Sequence, residues 1–84
     1  MTKAIYRPEY EIFLGILKRR RIEAGMTQVE CSKALGRPQS FMSDVERGSR
    51  RLDIIQLRDL CHVLGFDLPT LILEFENALQ ARTR

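Results

Sequence analysis

Four glycines, Gly25, Gly36, Gly48 and Gly65, each stand directly after a stretch whose apolar residues recur at helical spacing. Glycine just past the last turn is a common stop for an α-helix, because the chain there adopts a left-handed conformation that a Cβ disfavours. A chain of 84 residues punctuated this often is held to short helices joined by loops of about two to six residues. Such helices pack at steep angles rather than as a long parallel bundle. No stretch alternates long enough to make a strand, so the expected class is all-α.

The helix starts are as legible as the stops. Pro8 precedes residues 9 to 24, which place Phe13, Ile16, Leu17 and Arg20 or Ala24 along one side. Thr27 followed by Glu30 is a capping box opening a helix over 27 to 35. Pro38 suits the first turn of a third helix ending at Arg47, since its missing amide is no loss there. Asp53 is the cap expected for residues 53 to 64, with Ile54, Leu57, Leu60, Cys61 and Leu64 facing inward, and a fifth helix runs from Asp67 to about Ala81. The expected organisation is an arm over residues 1 to 8, then a single domain over 9 to 84.

A chain of this size buries a modest core, so dimerisation is a natural supplement. The apolar runs at 12 to 17 and 68 to 73 are far short of a membrane span. The opening MTKAIYRPEY lacks the apolar stretch and cleavage site of a secretory signal. A soluble cytoplasmic protein, with no membrane partner, is expected. Cys31 and Cys61 stand thirty residues apart without a metal-ligand pattern and read as buried thiols.

The net charge is only +3, but it is unevenly spread. Lys18, Arg19, Arg20 and Arg21 are consecutive, and Arg37, Arg47, Arg50 and Arg51 cluster later. Residues 52 to 76 carry five acids against Arg58. A chain with one positive end suits docking on a polyanion.

The third helix is two-faced. Wound at about 100° per residue from Gln39, it carries Gln39, Ser40, Ser43, Asp44 and Arg47 within about 140° of arc, and Pro38, Phe41, Met42 and Val45 at roughly 200° to 300°. Exposed helix positions favour lysine, glutamate and alanine over serine, so the two serines cost helix stability with no local return. Base recognition accounts for them. Glutamine pairs with adenine, serine reads any base edge, and arginine binds guanine or phosphate. Gln28 in the first turn of the second helix, Arg37 in the turn, and Ser49, Arg50 and Arg51 after Gly48 bracket this arc where a duplex would present phosphates.

The run from Gly25 to Leu71 resembles the Cro/CI-type helix-turn-helix repressors, the XRE family. The likeness lies in Gly25-Met26-Thr27-Gln28, Leu35-Gly36, Ser40 and Ser43, Glu46-Arg47-Gly48 and Leu64-Gly65, with Leu17 and Arg21 in the first helix. It implies a compact five-helix, lambda-repressor-like domain whose helix-turn-helix spans about residues 27 to 47, with the third helix in the major groove of double-stranded DNA. It assigns base reading to Gln39, Ser40, Ser43 and Asp44, and phosphate binding to Gln28 and the loop from Arg47 to Arg51. It also pairs Arg21 with Glu46 in a structural ion pair. Three positions depart from the family: Arg37-Pro38 in place of a serine or threonine cap, Cys31 in place of a leucine, and Asp44 where basic or amide side chains are frequent. A carboxylate can accept from cytosine N4 but is repelled by phosphates.

The expectation is therefore a sequence-specific regulator, a repressor binding a palindromic operator as a homodimer through Leu71, Ile72, Phe75 and Leu79 of the last helix. The alternative is a protein-interaction module on the same fold, such as an antitoxin or adaptor. An enzyme is not expected, because His62 is the only histidine and no nucleophile, metal set or phosphate loop accompanies it. No cofactor and no small-molecule ligand are expected either.

Overall fold

A computed structural model describes residues 7 to 83; the first six residues of the expected N-terminal arm lie outside them. Five helices follow in order: α1 (Pro8–Glu23), α2 (Gln28–Ala34), α3 (Phe41–Arg47), α4 (Ile54–Leu64) and α5 (Leu68–Thr83). The described residues form an all-α fold without strands.

Local side chains close three of the helix starts. At α2, Thr27 Oγ1 accepts from the Glu30 amide at 3.0 Å while Glu30 Oε1 accepts from the Thr27 amide at 2.9 Å. Asp53 and Gln56 repeat this box at α4, at 2.8 and 3.0 Å, and Asp67 Oδ1 takes the Thr70 amide at 3.0 Å ahead of α5. These bonds satisfy amides that a helix start otherwise leaves without partners.

The stops share one construction. Gly25, Gly36, Gly48 and Gly65 all have φ between 70° and 89°, and the residue after each donates its amide to a carbonyl five residues back. Ser49 to Asp44 at 3.0 Å and Phe66 to Cys61 at 3.0 Å are two examples. This is the Schellman arrangement, which satisfies two carbonyls and turns the chain sharply.

The third helix begins later than Pro38 suggests. The Phe41 amide reaches back to the Pro38 carbonyl at 2.9 Å, so Pro38, Gln39 and Ser40 form a turn, and Pro38 opens that turn rather than the helix. Ser40 makes no side-chain cap. The cap comes from another helix: Ser32 Oγ, wholly buried on α2, accepts from the Met42 amide at 2.9 Å.

Leu17, Met42, Leu60 and Leu71 are fully buried and bring four of the helices to one core, with Cys31 of α2 completing it. On α1 the buried positions are Leu14, Ile16, Leu17 and Arg21, and Ala24 is exposed. Ile54 departs from expectation at 58% exposed. It shares the helical face of Leu57 and Cys61, but in the first turn of α4 no neighbouring element covers it. Leu71, expected at a dimer surface, spends its whole surface inside the chain's own core and has none to offer a second copy.

α1 and α5 are clamped together. Glu74 of α5 accepts from Arg20 Nε at 3.0 Å and also pairs with Arg19, while the Arg20 guanidinium lies 4.1 Å from the centre of the Phe66 ring. Phe13 and Phe75 meet edge to face at 5.4 Å. Among the described residues, no helix is long and apolar enough to cross a membrane.

Candidate nucleic-acid interface

The frame of the interface is a buried network joining α1, α2 and α3. Arg21 Nε donates to Glu46 Oε2 at 2.6 Å and Nη2 to Oε1 at 3.1 Å, while Nη1 donates to the Met26 carbonyl at 2.8 Å. Both side chains are at most 9% exposed. The hydrogen bond to Glu46 holds the Arg21 pKa above its ordinary value, against the opposing effect of burial. Gln28, the first residue of α2, donates Nε2 to the same Glu46 Oε1 at 2.9 Å. Its amide is thus tied to the frame and half-buried rather than free at the surface. Arg21 is likewise consumed by the fold.

Gln39 and Ser40 lie in the exposed turn ahead of α3, so the helical wheel governs only Ser43, Asp44 and Arg47. Ser43 Oγ donates to the Ser40 carbonyl at 3.1 Å and accepts from Arg47 Nη1 at 3.5 Å. Asp44 forms an ion pair with Arg47 one turn on. The carboxylate that stands apart in the sequence is therefore matched by a cation from its own helix, and each limits the other's field toward a polyanion. Ser49 fastens the end of α3: its amide and its Oγ both donate to the Asp44 carbonyl, at 3.0 and 3.1 Å.

The flanking arginines differ from those on α1. Arg37 and Arg50 lie 5.0 and 5.1 Å from the centre of the Phe41 ring, and Arg51 lies 5.3 Å from that of Tyr10. None of the three forms an ion pair with a described residue, whereas Arg19 and Arg20 share Glu74 and Arg21 holds Glu46. The uncompensated positive charge near α3 thus comes from the turn before it and the loop after it, which flank Gln39, Ser40 and Ser43 along the chain.

Sequence reasoning misses Ser32, the link from Gln28 to Glu46, and the aromatic seats of these arginines. Only Ser32 leaves a trace, as a hydroxyl between Cys31 and Leu35 in a helix too short to spare a buried position. The other links join residues with no fixed spacing. Among the described residues no cluster of ligating side chains could hold a metal ion.

A helix-turn-helix domain family matches residues 14 to 75. An XRE-family like protein from Pseudomonas syringae pv. tomato str. DC3000 is 41% identical, over 90% of this chain and 93% of its own, with a TM-score of 0.80. The clp gene regulator ClgR from Corynebacterium glutamicum is 26% identical over 92% of this chain and 84% of its own, with a TM-score of 0.75. A mutant of the restriction-modification controller protein C.Esp1396I shares the fold, with a TM-score of 0.78 at 23% identity over 88% of this chain and 94% of its own. No curated protein matches the chain. The family match over residues 14 to 75, the 41% identity across nine-tenths of the chain and the five-helix fold make this protein a member of the XRE family of helix-turn-helix DNA-binding regulators.

Proposed function

We propose that the chain is a sequence-specific transcriptional regulator that binds a palindromic operator as a homodimer and represses by excluding polymerase, with α3 of each copy in the major groove of successive turns. Gln39, Ser40 and Ser43 would read base edges, Asp44 and Arg47 would act as a pair, and Arg37, Ser49, Arg50 and Arg51 would hold the flanking phosphates. Gln28 would present its remaining N–H and its backbone amide to phosphate from a side chain fixed by Glu46. The observation that carries this reading is the placement of uncharged hydrogen-bonding groups between arginines that no described carboxylate neutralises.

Selection from a random duplex library tests it. The wild-type protein should enrich one two-fold motif, and Gln39→Ala should relax one position of each half-site, with about 1 to 3 kcal/mol of discrimination lost. Absence of any enriched motif sinks specific recognition. The antitoxin or adaptor alternative predicts no steep salt dependence. Binding through six or more phosphates should instead weaken by roughly three orders of magnitude between 50 and 200 mM salt.

For the homodimer, the support is an open groove of about 470 Å³ beside α1 and α5, in which Tyr10, Phe13, Ile72, Phe75 and Leu79 line the wall together with Arg7, Glu9 and Arg51, and the 41% exposure of Ile72 within it. Light scattering at tens of micromolar should give twice the monomer mass, and Ile72→Glu should return it to one copy.

A further inference from the structure

Two of the uncompensated arginines share one aromatic ring, although they come from opposite ends of α3. Arg37 belongs to the turn before the helix and Arg50 to the loop after it, yet both guanidiniums lie about 5 Å from the centre of Phe41. We infer that Phe41 is a positioning residue for nucleic-acid binding, its ring seating Arg37 and Arg50 as a preformed pair for backbone phosphate. The inference rests on the proposed DNA-binding role and adds to it a residue that touches no DNA itself.

Phe41 is suited to this because it is anchored in the core. It is the first residue of α3, 5% exposed, and part of the core. A cation above an aromatic ring is attracted by the negative face of the π system, and that contact uses no N–H group. The guanidinium donors therefore stay available for the paired hydrogen bonds that phosphate oxygens accept. Through their common ring the two charges are no more than about 10 Å apart, close to the screening length at 0.1 M salt, so an anion beside one is also within range of the other. Asp59 lines the same cleft as Arg37 and Phe41, yet the ion pairs among the described residues do not join the two. Where a ring and a carboxylate do converge on one arginine, as Phe66 and Glu74 do on Arg20, the charge is spent within the fold. Here it is seated but not paired.

Preorganisation predicts a signature that loss of charge does not. On a random-sequence duplex, Phe41→Leu should weaken binding about fivefold with the salt slope unchanged, because both arginines remain. Arg37→Ala and Arg50→Ala should each weaken binding and lower the slope by about one, and each should cost less in the Phe41→Leu background than in wild type. Phe41→Tyr, which keeps the ring, should bind as wild type. In the free wild-type protein the side-chain protons of Arg37 and Arg50 should show upfield ring-current shifts, a reading that requires no variant to fold.

Additive effects of Phe41→Leu with both arginine substitutions, unweakened binding by Phe41→Leu, or random-coil shifts for the two arginines overturn the inference while wild-type DNA binding stands. If the wild type shows no salt-dependent binding to duplex DNA at all, the DNA-binding reading fails and this inference fails with it.

Discussion

Arg21 grips Glu46 through two nitrogens, at 2.6 and 3.1 Å, and the carboxylate it holds also takes the amide of Gln28 at 2.9 Å. One buried charge pair thus fixes the end of α1, the start of α2 and the last turn of α3 relative to one another. Removing one partner strands the other charge away from water, which costs about 3 to 5 kcal/mol. Against a total stability of about 5 to 15 kcal/mol, Glu46→Ala should remove a large share of the domain's stability. Arg21→Met combined with Glu46→Leu should lose much less. Urea unfolding of the three proteins checks this, and equal losses in the single and double variants would show that the charges are not coupled.

Ser32→Ala should destabilise by about 1 to 3 kcal/mol, the cost of leaving the buried Met42 amide without an acceptor. The loss should be local in origin, with faster hydrogen exchange at Met42 than elsewhere in the core. An unchanged exchange rate there would mean that water replaces the hydroxyl at no cost.

Asp44→Asn releases Arg47 from its intrahelical partner. The expected result is tighter binding to any duplex and a salt slope steeper by about one. Titrations at several salt concentrations measure both, and an unchanged slope would show that Arg47 makes no phosphate contact even when freed. Loss of a selected cytosine in the same variant would instead assign base reading to the carboxylate.

Burial pushes the Cys31 thiol from its ordinary 9.0 up to about 11, and it raises Cys61 as well. Above pH 9 the unfolded chain gives up thiol protons that the folded chain retains, so it binds fewer protons. Stability should therefore be full below pH 9 and fall as pH rises toward 11, by roughly 2 to 3 kcal/mol for Cys31. Urea midpoints measured at about pH 8 and pH 10.5 should diverge in the wild type and draw together in Cys31→Ala with Cys61→Ala.

What the sequence made legible is what short-range chemistry encodes. Thr27 bonds with Glu30 within three residues, so spacing alone reveals that box, Asp53 is legible as a cap by its type though its partner Gln56 is not, and the glycine stops are as local. The start of α3 is not legible because its cap lies ten residues back on another helix, a distance no local rule reaches. Ile54 and Leu71 depart from expectation for a related reason. Helical periodicity tells which residues share a face but not whether a neighbour covers that face. In the candidate interface, Gln39, Ser40 and Ser43 could be chosen by residue type. The pairing of Asp44 with Arg47 and the seating of Arg37 and Arg50 on Phe41 depend on side-chain directions that only the folded chain fixes.

The four glycine corners also bear on the speed of folding. Each is closed by hydrogen bonds reaching back three to five residues, so it can be set before the helices on either side have met. The slow element of many folds, the search that brings distant segments together, is confined here to docking helices whose connecting angles are already restricted. Chains dominated by near-neighbour contacts reach the native state in microseconds to milliseconds, and closing a corner of this length takes well under that. The main refolding phase in stopped flow should accordingly fall within the dead time or on the millisecond scale.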